Sequence, residues 1–306
     1  MYNRRRFLQT ALAAAAIPSA APQSGSPWGS PVLDIHLHMR REPDSCFNHI
    51  EGSGVTRAVL LTRTADAENA RAEIAKRPGR FVWFAAANPS EPNSIGALRK
   101  AIEGGACGIG EIKTHLDADS PEMRRVYALA GEMNVPVLIH FQEIPHFENE
   151  GNFNVGYRQF DKMLKAYPKT VFIGHADFVW ANISADVPKD VAYPPGPVKP
   201  GGLTDKWLSD FPNLYVDMSA NSGYNGLSRD PDFTRAFLIR HQDKLMFGCD
   251  CSCQDGHGTG GSPILPQLKG KCVARATLEV AKQLSSPSVF RKITWENGIR
   301  LLKIPS

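Results

Sequence analysis

Histidines and acidic residues recur in this chain at the ends of short apolar segments. His36 and His38 end the first segment, His140 and His175 lie at or near the ends of two later ones, and Asp250 lies in the last. Residues two apart in a strand point the same way, so His36 and His38 share a face. Neutral imidazoles and carboxylates are ligands that suit zinc and its neighbours. These residues therefore predict a metal site, if the fold brings the segment ends together.

Any one of these histidines is weak evidence, since a core or surface histidine with satisfied hydrogen bonds is more common than a ligand. The set carries more weight, because burying several imidazoles with a carboxylate is costly unless a cation compensates them. Glu111 and Lys113 form a further polar pair on one face near the end of the segment "CGIGEIKT". From the residues alone, this pair either forms an internal ion pair or binds substrate.

The elements that must position these residues alternate regularly. Eight short apolar segments rich in β-branched or aromatic residues are predicted as buried strands, namely Val32–His38, Arg57–Thr62, Phe81–Pro89, Cys107–Thr114, Val135–Phe141, Thr170–Ala176, Leu214–Ala220 and Leu245–Cys251. Amphipathic helices are predicted between and after them, at Ala65–Arg77, Ser94–Glu103, Ser120–Met133, Arg158–Ala166, Thr204–Asp210, Pro231–Arg240 and Arg275–Leu284.

Eight strands alternating with helices over about 270 residues predict an α/β fold, a single-domain (β/α)8 TIM barrel over residues 32–306. An open doubly wound sheet is the alternative, but it would show a glycine-rich phosphate turn after its first strand. No such turn follows Val32–His38. In a barrel, the long loops after the fifth, sixth and eighth strands lie on the face where active sites are built.

The N-terminus predicts export. Residues 1–21 combine Arg4, Arg5 and Arg6 with an apolar run and small residues, similar to a twin-arginine signal, and residues 22–31 form a linker. A basic helix that stays attached is the alternative. The apolar run is too short to span a bilayer, so we expect a periplasmic protein without stable membrane insertion.

The net charge of the chain indicates which class of partner it binds. The formal charge is +4, of which Arg4, Arg5 and Arg6 supply three, so the remainder carries about +1. This near-neutral charge does not predict a basic surface for nucleic acid, and we expect a small-molecule substrate. A homo-oligomer is compatible with the sequence.

The six cysteines allow two interpretations. A chain of this length can bury a full hydrophobic core without the help of disulfide bonds, so no obligatory disulfide framework is predicted. If Asp250 points into the barrel mouth, its neighbours Cys249 and Cys251 point to the helical shell as small apolar residues. The alternative is a thiolate metal cluster of Cys249, Cys251 and Cys253 with His257. Cys253 is expected on the active-site side, where it could approach the metal or the substrate.

Several of these segments resemble the successive strand motifs of the amidohydrolase superfamily, especially the amidohydrolase-related family. The motifs are "DIHLH", "GEIKT", "VLIH", "FIGHA", "YVDMSA" and "FGCD", and "KITWENGIRLLKI" is similar to the closing helix of that family. One departure is Gly248-Cys249-Asp250, where relatives most often have Gly-Thr-Asp.

The resemblance implies a metal-dependent TIM-barrel hydrolase. Carried over residue by residue, it makes His36, His38, His140, His175 and Asp250 the metal-site residues. "GIGEIK" is similar to the form found in TatD-type nucleases, so Glu111 is included as a ligand that could bridge two metals. The implied cofactor is a divalent metal, with Zn²⁺ first and Mn²⁺, Fe²⁺ or Co²⁺ as alternatives.

The expected reaction is hydrolysis of an amide, ester or lactone bond by a metal-activated water. Asp250 would accept the water proton and pass it to the leaving group, while His175 holds the ion or orients the water. Lys113, Trp180 and Arg229 are candidates for substrate contact, although Arg229 could instead pair with a neighbouring aspartate on the surface.

Two other functions remain open from the sequence. The same family includes metal-dependent, non-oxidative decarboxylases of unsaturated or aromatic acids, which use one metal. The second alternative is an exported metal- or sugar-binding protein without turnover.

Overall fold

The computed structural model describes residues 26–305. The export signal predicted at residues 1–21 lies outside the described residues, as do residues 22–25 of the predicted linker. Within the described range, no helix is long and apolar enough to cross a membrane.

Eight parallel strands form one sheet in which strands adjacent in sequence are adjacent in space. The sheet closes because the Ile35 amide donates to the Phe247 carbonyl (3.0 Å) and the Asp250 amide donates to the His36 carbonyl (2.8 Å). The predicted (β/α)8 barrel is therefore confirmed. The strands are β1 Leu33–His38, β2 Arg57–Arg63, β3 Phe81–Ala86, β4 Ile109–Ile112, β5 Val137–His140, β6 Phe172–His175, β7 Leu214–Asp217 and β8 Leu245–Met246.

Helices follow the strands and cover the outside of the barrel. Ser120 accepts a hydrogen bond from the Met123 amide and precedes Pro121, so it caps the helix that begins there. The helices are α1 Ser45–Ser53, α2 Ala67–Lys76, α3 Ser94–Glu103, α4 Pro121–Met133, α5 Asp161–Ala166, α6 Asp177–Ala181, α7 Leu203–Asp210, α8 Ala220–Ser228, α9 Pro231–Arg240, α10 Val273–Leu284, α11 Pro287–Arg291 and α12 Asn297–Leu302.

Several differences from the sequence prediction affect the functional face. The helices α1 and α8 were not predicted, because "SCFNHIEGS" and "ANSGYNGLS" are rich in glycine, serine and asparagine, which have low helix propensity. The eighth strand was predicted to reach Cys251 but ends at Met246. After Met246 the regular strand ends, since the Phe247 amide donates to the Ile293 carbonyl and Asp250 adopts a φ of 41°, while Phe247 and Asp250 still hydrogen-bond β1.

The barrel interior is apolar at the end opposite the predicted site. The C-terminal segment covers this end with Trp295, Leu302 and Ile304. Because apolar side chains fill the floor of the barrel, the polar strand ends can face solvent only at the other end, where the strands have their carboxyl ends (the carboxyl mouth). The interior side chains are Leu33, Ile35, Val59, Leu61, Phe84, Leu138, Ile173, Tyr215 and Met246.

Candidate metal centre

The barrel brings the six predicted ligands together at its carboxyl mouth. His38, His140 and His175 are the last residues of β1, β5 and β6, and His140 and His175 are partners in the strand register. Glu111 lies in β4, and Asp250 lies in the turn after β8. The nitrogens His36 Nε2 and His38 Nε2 are 3.4 Å apart, as expected for two side chains on one face of β1.

The Glu111 carboxylate lies between two pairs of histidines. Its Oε2 is 3.3 Å from His38 Nε2 and 3.8 Å from His36 Nε2. Its Oε1 is 2.5 Å from His140 Nδ1 and 3.4 Å from His175 Nε2. In each group of Glu111 with one histidine pair, the ligand atoms lie within 4.8 Å of one another. The site therefore contains two adjacent sets of donors that share one carboxylate.

Asp250 faces both sets from the opposite side. Its Oδ1 is 3.4 Å from His38 Nε2 and 3.8 Å from His36 Nε2, and its Oδ2 is 3.8 Å from His175 Nε2. The hydrogen bond from its amide to the His36 carbonyl holds the backbone in place. The carboxylate is 29% exposed, whereas Glu111 is 6% exposed. Asp250 is thus the carboxylate of this site that can exchange protons with solvent.

Asp217, at the end of β7, orients His36 from beneath, and the nearby Ser219 hydroxyl contacts His175. Its Oδ2 accepts the Nδ1–H of His36 at 2.6 Å, which leaves His36 Nε2 as the lone-pair nitrogen facing the site. Its Oδ1 lies 3.6 Å from His175 Nδ1, and the Ser219 hydroxyl lies 2.9 Å from the same nitrogen. A Cβ at Gly248 would come within 2.8 Å of His36 Cβ and 3.1 Å of Asp217 Oδ2, so glycine permits this close approach.

His140 is oriented from the loop after β5. Gln142 Oε1 lies 2.8 Å from His140 Nε2, and the Gln142 amide donates to Glu150 at 2.8 Å. With its Nε2–H donated to Gln142, His140 presents Nδ1 to the site. These orienting residues were not among the predicted site residues. Asp217 was recognisable from its place at a strand end, whereas Gln142 reaches His140 because the loop folds back and pairs Gln142 with Phe153.

The centre concentrates negative charge. Burial lowers the pKa of His36, but the carboxylates of Asp217, Asp250 and Glu111 outweigh burial and raise it to about 9. Burial raises the pKa of Glu111, and His140 and His38 more than reverse this, so that its pKa lies well below the ordinary value. The carboxylates thus remain ionised and require positive charge beside them, which protons on imidazole or a divalent cation can supply.

One buried atom points to a cation in particular. His175 is fully buried, and its Nε2 has no hydrogen-bond partner among the described residues. Leaving such a nitrogen unpaired costs about 1–3 kcal/mol, whereas coordination would satisfy it. Imidazole nitrogens and carboxylate oxygens are the donors preferred by zinc and its neighbours. The residues present therefore fit a divalent metal held by His36, His38, Glu111, His140, His175 and Asp250.

A cavity of about 1280 Å³ opens beside the centre, between the loops that follow β1 to β4. His38, Glu111 and Lys113 line it, together with Arg40 and His115. Lys113 Nζ lies 3.9 Å from Glu150 Oε1 and 4.5 Å from the centre of the Phe153 ring. Lys113 is therefore placed where a small molecule at the centre would meet it.

The other two predicted substrate contacts lie elsewhere. Trp180 is 2% exposed, and its indole Nε1 donates to the Asp217 carbonyl at 3.0 Å, so it supports the end of β7 from behind. Arg229 is half-buried and donates to the Pro194 carbonyl at 3.2 Å. Neither residue lines the cavity beside His38 and Glu111.

The fold and the centre define the protein as a (β/α)8 barrel with a candidate divalent-metal site at its carboxyl mouth. The chain matches the family described as Amidohydrolase (Amidohydro_2) over residues 36–304. It belongs to this family, whose proteins bind divalent metals. No curated protein sequence matches the chain.

Solved structures share the fold at low sequence identity. A dihydroorotase from Campylobacter jejuni has a TM-score of 0.55 and 16% identity, over 90% of this chain and 84% of that one. The 5-carboxyvanillate decarboxylase LigW from Sphingomonas paucimobilis has a TM-score of 0.52 and 10% identity, over 90% and 99%. The TatD homolog YJJV from Escherichia coli K12 has a TM-score of 0.52 and 16% identity, over 90% and 98%.

Proposed function

We propose that the protein is a metal-dependent hydrolase that cleaves an amide, ester or lactone bond of a small molecule. The observation that supports this most is the Glu111 carboxylate, whose two oxygens face different histidine pairs. This arrangement favours two adjacent cations, Zn²⁺ first, over one. Bound divalent cations polarise a substrate carbonyl and lower the pKa of water towards about 7.

In this proposal Asp250 accepts the proton of the attacking water and returns it to the leaving group. Burial raises the pKa of Asp250, and the charges of His36 and His38 more than reverse this in the metal-free centre. With a cation bound, the charge of the cation would keep the carboxylate ionised and able to act as a base. Lys113, 35% exposed at the cavity wall, contacts an anionic or carbonyl group of the substrate. His175 directs Nε2 to the metal.

The reaction class can be tested with two substrate panels and one control variant. Metal-loaded protein is expected to cleave at least one member of a panel of esters, lactones and amides. The activity should disappear in His175→Ala and after chelation. Release of CO₂ from unsaturated or aromatic acids, without hydrolysis, would overturn the proposal in favour of the decarboxylase. Bound metal without turnover on either panel would favour a binding protein.

The number of ions at the centre separates the hydrolase from the one-metal decarboxylase. We expect wild-type protein to hold two more ions per chain than His36→Ala/His140→Ala, because each histidine pair supplies one donor set. In Glu111→Gln the excess over the double variant should fall to one ion per chain, since a neutral side-chain amide cannot bind two cations at once. Glu132→Gln, which breaks the exposed pair with Arg99, serves as the control. The measurement is elemental analysis of purified protein, and a wild-type difference of one would contradict the two-metal centre.

A further inference from the structure

A second group of ligand-type side chains lies behind Asp250, outside the centre described above. His49, Cys251, Cys253 and Cys272 are all buried, and their ligand atoms lie within 4.8 Å of one another. His49 lies on α1, Cys251 and Cys253 lie in the loop after β8, and Cys272 directly precedes α10. Three segments distant in sequence therefore converge on one point.

The distances among these three cysteines and His49 match a tetrahedral ion site. Cys251 Sγ lies 3.3 Å from Cys253 Sγ and 3.9 Å from Cys272 Sγ, and His49 Nδ1 lies 3.5 Å from Cys253 Sγ. Tetrahedral zinc, with Zn–S bonds of about 2.3 Å and Zn–N bonds of about 2.0–2.1 Å, places two sulfurs roughly 3.8 Å apart and sulfur and nitrogen roughly 3.6 Å apart. The observed separations lie within roughly 0.5 Å of these values.

A disulfide accounts for this group less well. The six cysteines, all within the described range, are free thiols. The group contains three thiols, so one disulfide would leave a buried thiol and a buried imidazole without a role. Three cysteines and one histidine form a complete set of four donors, as in closed structural zinc sites.

The surroundings suit three thiolates. Cys272 is the N-cap of α10, a helix of 12 residues, and negative charge is favoured at a helix N-terminus. The Arg40 guanidinium donates to the Cys251 carbonyl at 2.6 Å and brings a positive charge to the loop. Both features offset the net negative charge that three thiolates and one Zn²⁺ leave in the interior.

His49 also has a partner for its second nitrogen. Its Nε2 lies 3.6 Å from Cys249 Sγ, and the Asp34 carboxylate belongs to the same group of neighbours. Asp34 is fully buried, and its Oδ2 has no hydrogen-bond partner among residues 26–305. Without an ion, His49 Nδ1–H donates to the Cys253 carbonyl at 2.9 Å. Coordination through Nδ1 would replace this hydrogen bond and place the ring proton on Nε2, which faces Cys249, in the way that metal-bound histidines are commonly oriented.

We propose that Cys251, Cys253, Cys272 and His49 form a closed zinc site, separate from the centre that holds Asp250. Binding one Zn²⁺ releases the three thiol protons to solvent. The site ties α1, the loop after β8 and α10 together directly beside Asp250, so its role is to hold the segment that carries this carboxylate.

This site differs from the thiolate cluster considered from sequence. Cys272 and His49 take the places of Cys249 and His257, because α1 and α10 pack against the loop after β8. The expectation that Cys253 approaches the active site was wrong, since its side chain is buried against Cys251 and His49.

Cobalt provides a specific probe, because cobalt bound to thiolates gives an intense near-ultraviolet charge-transfer band and the Asp250 centre contains no thiolate. Metal-free protein reloaded with Co²⁺ should show this band, and so should His36→Ala/His140→Ala. Cys272→Ser and Cys253→Ser should lose it, whereas Cys107→Ser, which changes a thiol outside the group, should keep it. Elemental analysis should find one zinc per chain fewer in Cys272→Ser than in Cys107→Ser.

Three results would overturn this proposal. They are the absence of the band in wild-type protein, full zinc retention in Cys272→Ser, and a disulfide among the three cysteines detected by mass spectrometry of purified protein. The band is read on wild-type protein, so the test remains valid if a variant fails to fold. It is also independent of the proposed hydrolase, because the double variant lacks the catalytic centre and keeps the thiols.

Discussion

Replacing Asp250 with asparagine is expected to lower kcat roughly 10²–10⁴-fold, even with divalent cation in excess. Asparagine keeps the shape of the side chain, and the backbone N–H of residue 250 still donates to the His36 carbonyl. The side-chain carboxamide, however, cannot accept the water proton. The measurement is kcat at saturating substrate and saturating metal, with the metal content of the variant determined in parallel.

Asp243→Asn is the matched control for this variant. Asp243 pairs with Lys292 on the surface just before β8, so its replacement removes the same charge close by in sequence but far from the centre. Wild-type kcat is expected in this control. If excess metal restored the rate of Asp250→Asn, then Asp250 would only hold the ion, and its proposed role in proton transfer would be wrong.

The positions of five candidate ligands could be predicted from sequence because two simple rules fix them, whereas Glu111 was included only because "GIGEIK" resembles a family motif. Side chains alternate along a strand, which places His36 and His38 on one face, and the carboxyl ends of parallel strands meet at one mouth of a barrel. His140 and His175 followed from the second rule alone. The strand boundaries did not have to be right for this argument, since β8 ends at Met246 and Asp250 still reaches the centre.

Features that depend on how loops and helices pack were beyond these rules. Trp180 and Arg229 lie in segments whose path the sequence does not specify, and the structure buries Trp180 behind β7 instead of placing it in the cavity. The cluster of three cysteines and His49 shows this limit of sequence prediction more clearly. His49 and Cys253 are 204 residues apart, and they meet because α1, which was not predicted, packs beside the loop after β8.

The centre also depends on Asp217, which holds His36 without being assigned as a ligand. Asp217→Asn is expected to weaken metal binding at the centre roughly 10–100-fold. Asparagine keeps the size of the side chain but loses the charge that accepts His36 Nδ1–H at 2.6 Å, so His36 becomes a poorer donor. Turnover measured against free metal concentration, set with a chelator, should require more metal in the variant and recover at high metal.

Asp205→Asn is the control, because Asp205 lies 2.5 Å from His241 Nε2 in an equivalent pair outside the barrel. An equal loss in both variants would show a general effect of breaking such pairs, and an unchanged metal requirement in Asp217→Asn would show that Asp217 does not tune the centre.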